Sequence, residues 1–513
     1  VYLAAAVNLA IAALAFALSR SGDGDPGTAT LPAVDTTLRP AYRTPALITL
    51  ALPGVGSIAS QVGWTQFLVI YVGSTISGLS IILAVFLAGI AMGAWLMGRR
   101  IATLTSPAAV MVTLLAALPF ALIASRFLLS LLPDIQAIMN RAGEDAGLLM
   151  FIRAATIAAA LLPPTVLLGA IFPLNVQLCT GAGTSTRRDI GTAYAINTLF
   201  SIAGAAIGGL LIIPLWGTDI LLVAMVGLAA VAAVIWMPWL PRLSSRMALL
   251  VPVLAAIALL AAAKGIDYRS MIANAGYDDR SRAGKVPTFH FLKEGKAGVI
   301  SLTSYDGKQM LLQNNGLNEA GFTPGDPGDV PVIEVLLGLV PYILHTDPQS
   351  ALVIGLGAGN TAAVLADTDV TRIRIVELEP AVTEAVRAVA GSPATVLDDA
   401  RVEITYNDAR NTLAVEDESY DLIVSQPSHP WVAGTAGVFT REFWEIANRR
   451  LNDGGLFAQW LNLFRMNETT LRAVLKSFFE VFPEGFVLSS ERSLILVGSN
   501  GPIILDEPRA REV

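Results

Sequence analysis

Long apolar runs fill the first half of the chain, and short alternating ones fill the second. A helix that crosses a bilayer needs about 20 apolar residues. Runs of that kind lie at 1–19, 46–72, 75–98, 107–132, 148–178, 190–215, 218–240 and 246–263, which predicts about eight spans. Two runs contain breaks, LPGVG at 52–56 and LPPT at 162–165. Breaks are tolerated where neighbouring helices or a cavity satisfy the freed backbone groups, and a kinked packing helix is the simpler expectation. Gly89 with Gly93, and Gly204 with Gly208, form GxxxG pairs. Such small faces let helix backbones approach closely in lipid. Helix packing is the default expectation, with a homo-oligomer or a membrane-complex partner left open.

Beyond this half the periodicity changes. A short polar linker with the run YDDRSR occupies 264–285. KAGVISLTSYDG and QMLLQNNG alternate and end in turn residues, which predicts a small β layer over 286–330. VPVIEVLLGLVPYIL, 330–344, reads as a helix. From Ala351 strand-like and helix-like segments alternate to the end, the βαβ pattern of an open, largely parallel sheet. The predicted organisation is a helical membrane domain (1–263), a linker (264–285), a β layer (286–330) and an α/β domain (331–513).

Composition sharpens that division. Only 15% of the 513 residues are charged, against about 25% in soluble domains. Up to Ala263 there are 12 Arg, no Lys and 8 acids; from Lys264 there are 22 basic and 33 acidic residues. A net of −11 in the second part argues against nucleic acid as a partner. Arg20, Arg39, Arg43, Arg99, Arg100, Arg187, Arg188, Arg242 and Arg246 fall in alternate loops, and the intervening loops carry only Arg141. Positive-inside reasoning places the Arg-rich loops in the cytoplasm and, by alternation, the C-terminal domain outside, whereas a cytoplasmic metabolite as its ligand would place it inside, so both sides stay open. The chain opens on Val inside an apolar run, without a charged leader region, so further residues are expected upstream rather than a signal peptide. Cys179 excludes an internal disulfide, and one Cys with three scattered His predicts no metal site.

The chemistry sits at strand ends. ALVIGLGAGN is an apolar strand running into Gly355, Gly357 and Gly359 and then a helix. Glycines let the backbone approach a ligand, and the helix start offers free N–H groups. Glu377 follows Gly359 by 18 residues, at the end of the next strand, where a carboxylate can accept both hydroxyls of a ribose. In YNDAR, Asp408 ends the third strand, where it can hold an adenine amino group. This predicts a nucleoside-type ligand. DLIVSQPSHPW, 421–431, is a fourth strand running into a polar loop in which no carboxylate follows Asp421.

VIGLGAGN, VELEPAV, NDAR, YDLIVSQPSHPW with GVFTREFW, and LNDGGLFAQWL together resemble spermidine synthases and their class I methyltransferase-fold relatives. With the runs WTQFLVIYVGSTISGLSIILAVFLAGIAMG and GTAYAINTLFSIAGAAIGG, the chain also resembles bacterial membrane proteins that fuse spanning helices to such a domain. The resemblance implies a Rossmann-like fold and an S-adenosylmethionine or decarboxylated S-adenosylmethionine donor. Glu377 would bind its ribose, Asp408 would lie near adenine, and Glu334 would sit on the substrate-facing helix. The departures matter as much. Ala358 replaces an aspartate that holds the donor's amino group, and Val332 replaces a Tyr. Gln426 and His429 stand where the catalytic and polyamine-binding aspartates belong. Gln426 can hydrogen-bond but cannot take a proton at neutral pH, so ordinary spermidine synthesis is not expected. Three readings follow: a transferase with another acceptor, positioned by Gln426 with His429 as base; a degenerate domain serving as a binding or assembly module; or a transporter with a regulatory domain. Trp431, Phe439 and Trp444 are expected to pack the loop, with His290 in packing and His345 in a surface turn.

Overall fold

The computed structural model describes residues 39–142, 146–180, 185–239, 254–261, 265–274, 286–326, 329–389, 391–490 and 492–503. The apolar runs form helices α1 (Arg39–Val72), α2 (Ile76–Arg100), α3 (Pro107–Ser130), α4 (Leu132–Ala142), α5 (Ala146–Cys179), α6 (Ser185–Ile207) and α7 (Thr218–Ile235). A π turn, Gly208–Ile212, and a short helix, Ile213–Trp216, extend α6. Six stretches among the described residues are long and apolar enough to cross a membrane: Tyr42–Val72, Ile76–Thr103, Pro107–Asn140, Gly147–Cys179, Asp189–Trp216 and Thr218–Ile235. They suggest a membrane-spanning region and coincide with six of the eight expected runs. The run at 1–19 lies outside the described residues, and of 246–263 only 254–261 is described, as helix.

Both breaks sit inside continuous helices. Pro53 lies within α1, and Pro163 and Pro164 lie within α5. The glycine faces are used within the chain. A Cβ on Gly93 would lie 2.0 Å from the Val166 carbonyl oxygen, and one on Gly169 would lie 2.2 Å from that of Ile90, so α2 and α5 touch backbone to backbone. Gly204 meets Val55 of α1 in the same way.

A four-stranded antiparallel sheet follows a short helix, α8 (Tyr268–Asn274). Its strands are β1 (Thr288–Glu294), β2 (Val299–Ser304), β3 (Met310–Asn314) and β4 (Leu317–Phe322), in that order. The alternation of β2 and β3 was legible in the sequence, whereas β1 and β4 complete the layer around them. β4 pairs Leu312 with Ala320 but Gln313 with Asn318, which leaves Glu319 as the extra residue of a β-bulge.

After α9 (Val332–Leu344) comes the α/β domain. Its strands are β5 (Ser350–Ile354), β6 (Arg372–Glu377), β7 (Val402–Tyr406), β8 (Tyr420–Ser425), β9 (Leu451–Asn462), β10 (Phe486–Ser490) and β11 (Ser493–Ser499). Between them lie α10 (Asn360–Ala366), α11 (Pro380–Arg387), α12 (Ala409–Val415), α13 (Arg441–Arg449) and α14 (Glu468–Val481). The sheet order is β10-β11-β9-β8-β5-β6-β7. β5 to β9 are parallel, and β11 returns antiparallel to β9 with β10 outside it. One face carries buried Ala351, Val353, Ile373 and Ile375, and the other Leu352, Ile423 and Val376. Strands buried on both faces explain the near-continuous apolar runs. The strand order reverses between β5 and β8, where ligands bind in such sheets.

The two halves meet through specific polar ties. Ala433 N–H donates to the Ser74 carbonyl at 2.8 Å, and Thr75 bridges Val432, joining the α1–α2 loop to the loop after β8. Glu294, at the end of β1, accepts from Thr218 N–H at 2.7 Å and so supplies a carboxylate to the N-terminus of α7. Gln66 Nε2 donates to the Gly295 carbonyl. The helix ends at Val72, Ile76 and Thr218 therefore face the α/β side. The opposite ends carry Arg99 and Arg100 on α2 and the Arg43–Asp189 ion pair (2.9 Å) between α1 and α6.

Candidate active site

Beyond the carboxyl ends of β5, β6, β7 and β8 lies a cavity of about 200 Å³. Backbone geometry builds its floor. Gly355 (φ +88°), Gly357 (φ +55°) and Gly359 (φ +100°) all adopt left-handed conformations that favour glycine. Gly355 also has no room for a side chain, because a Cβ there would lie 2.8 Å from the Gln426 carbonyl oxygen. Gly355 and Gly357 line the cavity, whereas Gly359 packs on Pro393 and Ala394 and starts α10.

Glu377 ends β6 and lines the cavity although only 8% of it is exposed. Its Oε2 accepts Leu356 N–H at 2.8 Å and its Oε1 accepts Glu379 N–H at 2.9 Å. Burial raises its pKa, opposed by those two amides, while the Glu379 charge raises it further. The amides fix the carboxylate plane, and each oxygen keeps a lone pair for a ligand. Asp408 caps α12 by accepting Arg410 N–H at 2.8 Å and lines the same cavity. Glu379 caps α11, and its other oxygen accepts Ala297 N–H at 2.8 Å, tying the β1–β2 hairpin to the cleft.

Gln426 follows β8 and lines the cavity. Its amide nitrogen would be the nearest atom to a Cβ on Gly357, at 3.4 Å, and it helps stabilise the Glu334 carboxylate. Its Oε1 is buried and has no hydrogen-bond partner among the described residues. Glu334, on α9, is 4% exposed and accepts Asn360 Nδ2 at 2.9 Å. Burial pushes its pKa up to about 7, against the pull of Asn360 and Gln426. It stands behind Gln426 and does not figure among the described lining residues.

His429 is not among the described residues that line the cavity. It is 4% exposed and stacks edge-on against Trp431 (4.9 Å) and Phe464 (5.9 Å). Burial, then the charge of Arg465, lower its pKa to about 4. The imidazole is thus neutral at pH 7 and does not repel a cation. Trp431 Nε1 donates to the Phe464 carbonyl, Trp444 is fully buried with Nε1 on Gln459, and Phe439 is buried, so these aromatics pack the loop and helix. Asn462 Oδ1 accepts Phe464 N–H, shaping the same turn. His290 bonds Ser304 on the neighbouring strand, and His345 accepts Asp347 N–H in a turn.

The structure therefore brings Gly355, Gly357, Glu377, Asp408 and Gln426 to one cavity, and places Gly359, Glu334 and His429 around it. It adds Glu319, whose Oε1 accepts Ser428 Oγ at 2.7 Å, and Arg410. Glu319 has no motif to mark it, because a bulge rather than strand alternation decides where it lies. No group of three or more His, Cys, Asp or Glu that could hold a metal occurs among the described residues.

A helical region with six long apolar helices, joined to a Rossmann-like α/β domain of the methyltransferase fold, is the class that this architecture defines. Residues 332–489 match the family described as "Spermine/spermidine synthase domain", and the C-terminal region carries that domain. The whole fits a membrane-fused spermidine-synthase-like protein. The chain is 31% identical over 188 residues to the polyamine aminopropyltransferase of Streptococcus uberis, covering 36% of this chain and 63% of that one. It is 28% identical over 149 residues to that of Moorella thermoacetica, covering 29% and 52%. It thus spans between about half and 63% of the length of these curated relatives. The crystal structure of spermidine synthase from Thermotoga maritima aligns at 20% identity and a TM-score of 0.38, covering 43% of this chain and 75% of that one.

Proposed function

We propose that the α/β domain binds S-adenosylmethionine or its decarboxylated form and transfers a group from it to an acceptor other than that of an ordinary spermidine synthase. The observation that carries this reading is Glu377: a buried carboxylate, clamped by two backbone amides at the end of β6, facing a cavity floored by Gly355 and Gly357. The residues fit such a donor. Glu377 would hold the ribose, Asp408 would lie near the base, and the glycines would let the chain approach closely. The donor supplies a sulfonium-activated carbon; the protein supplies binding and orientation.

Titration calorimetry with S-adenosylmethionine, decarboxylated S-adenosylmethionine and methylthioadenosine tests this. Binding of at least one, weakened at least 10-fold by Glu377→Ala, is the expected result. Binding to none sinks the reading, and binding untouched by Glu377→Ala and Asp408→Ala sinks the placement of the site.

The Arg-bearing ends of α1 and α2 lie away from the α/β domain, which supports placing that domain on the non-cytoplasmic face. On that reading the donor has to reach the same face. An impermeant thiol reagent should label Lys308→Cys, in the exposed β2–β3 turn, in intact cells. Protection until lysis would reverse the assignment.

A further inference from the structure

Among the described residues that line the cleft, Glu319, Glu377, Glu379 and Asp408 are acids, and Arg410 is the one cation. The acids are engaged. Glu377, Glu379 and Asp408 accept backbone N–H groups, and Glu319 accepts Ser428 Oγ. The Arg410 side chain makes no hydrogen bond and no ion pair with any described residue; only its backbone N–H is used, in the Asp408 cap. Arg374 and Arg401 of the same domain behave otherwise. The first holds Glu416 and Glu418, and the second holds Asp399 and the carbonyls of Thr368 and Val370. The Arg410 head lies instead on a glycine. A Cβ on Gly437 would sit 2.5 Å from Arg410 Nη1, and the next nearest atoms, Cζ at 3.3 Å and Cδ at 3.4 Å, belong to the same side chain. Gly437 is outside the left-handed region, so its backbone conformation does not call for glycine, whereas the guanidinium does. The turn that offers this seat, Thr435–Phe439, is held in place. Its Val438 carbonyl accepts Gln459 Nε2 at 3.0 Å, its Gly437 carbonyl accepts Thr440 Oγ1 at 3.1 Å, and Phe439 is buried. Arg410 thus reaches from α12 to the turn after β8, and residues at both ends of that reach, Asp408 and Val438, line the cavity. The cavity also offers apolar surface for a flat ring. Leu378, beside Glu377, lines it and is 57% exposed.

We propose that Arg410 is a binding residue for the base: it closes over the purine of the nucleoside ligand, guanidinium plane against ring, from the seat that Gly437 leaves. The inference rests on the nucleoside reading above, in which Asp408 lies near the base, and adds a contact on the ring face. The faces of an aromatic ring carry negative potential, and a guanidinium plane stacks on them. An arginine without a carboxylate partner keeps its charge and its plane for that ring. Lysine brings the charge as a point and has no plane to stack. The contact recognises the base and not the tail, so it serves S-adenosylmethionine, its decarboxylated form and methylthioadenosine alike.

The test uses the full-length protein in detergent. Methylthioadenosine, adenosine and adenosine 5′-monophosphate are titrated calorimetrically into the wild type, Arg410→Ala, Arg410→Lys, Gly437→Ala and the double variant Arg410→Ala/Gly437→Ala. Arg410→Ala should weaken methylthioadenosine and adenosine alike, by about fivefold or more, and Arg410→Lys should recover little of the loss. Gly437→Ala, whose methyl group takes the seat, should cost a similar factor, and the double variant should bind no more weakly than Arg410→Ala alone. Arg410 is exposed, so the apparent Tm of the ligand-free Arg410→Ala protein should match that of the wild type; a lower Tm would make its role structural and overturn the proposal. Methylthioadenosine affinity within twofold of wild type in Arg410→Ala overturns it too. So does wild-type affinity in Arg410→Lys, or a preference for adenosine 5′-monophosphate over adenosine that Arg410→Ala abolishes, since either would make Arg410 a charge that holds an anion. Additive losses in the double variant overturn the role of Gly437. Glu377→Ala separates the two ideas. If it weakens binding and Arg410→Ala does not, the nucleoside cleft stands and this inference falls; if the wild type binds none of the three ligands, both fall.

Discussion

The helical region and the α/β domain both bury large rings, among them Trp64, Phe67, Tyr71 and Trp236 in the one and Trp444, Phe457, Phe478 and Phe482 in the other, yet the helical region adds helix backbones in direct contact. At the α2–α5 contact the atoms that meet are backbone: Gly93 against Val166 and Gly169 against Ile90. In the α/β domain they are large rings. Phe457 stacks on Phe482 at 5.5 Å, and Phe478 meets Trp444 at 5.3 Å, all four fully buried. A lipid surround, which the six long apolar helices suggest, would account for that added contact. In lipid a large apolar side chain gains little by leaving the tails, so helices associate by close approach. In water, each ring withdrawn from solvent contributes in proportion to its area.

That contrast can be broken from both sides. The largest effect is expected from adding bulk where backbones touch. Gly93→Leu drives a side chain into the Val166 carbonyl, and recovery of folded, monodisperse protein in detergent should collapse; full recovery would mean that α2 and α5 do not pack this way. Removing bulk should be costly on the other side. Phe457→Ala, at a fully buried ring, should cost about 3–5 kcal/mol, read as a large drop in apparent Tm of the α/β domain. Replacing an exposed residue such as Ile202 by Leu should do little in the helical half.

A smaller effect sharpens the comparison inside the α/β domain, where a charge is buried among apolar groups. Burial lifts the Glu334 pKa from the ordinary 4.5 to about 7 in the folded state. The folded protein then holds a proton that the unfolded chain has released. This stabilisation is full below about pH 4.5 and is lost as pH rises through 7, a change on the order of 3 kcal/mol. Glu334→Gln should flatten that part of the stability profile. An unchanged slope between pH 5 and 8 would mean that another group carries it.

Much of this was legible along the chain because local pattern and solvent agree. Twenty-residue apolar runs, strands that are apolar throughout, and a strand–glycine–helix turn each report their own surroundings. Gly355, Gly357, Glu377, Asp408 and Gln426 could be found because they stand at strand ends, and strand ends converge in a parallel sheet. Glu319 could not, because its position depends on one extra residue in β4 and on how the β layer folds over the sheet. His429 illustrates a third case. Its place in the loop was readable, but its direction was not, since Trp431 and Phe464 together decide which way the ring faces. The join between the halves was equally hidden, because backbone hydrogen bonds leave no signature in residue type.

That join, Ala433 N–H to the Ser74 carbonyl with Thr75 bridging Val432, bears on how the protein can be taken apart. The loop it holds also supplies Pro427, Ser428 and Gly434 to the cleft. The α/β domain is therefore not an interchangeable cassette. A chimera that transplants it onto foreign helices inherits its residues but not the strap that shapes its mouth, and must carry the Gly73–Thr75 segment with it.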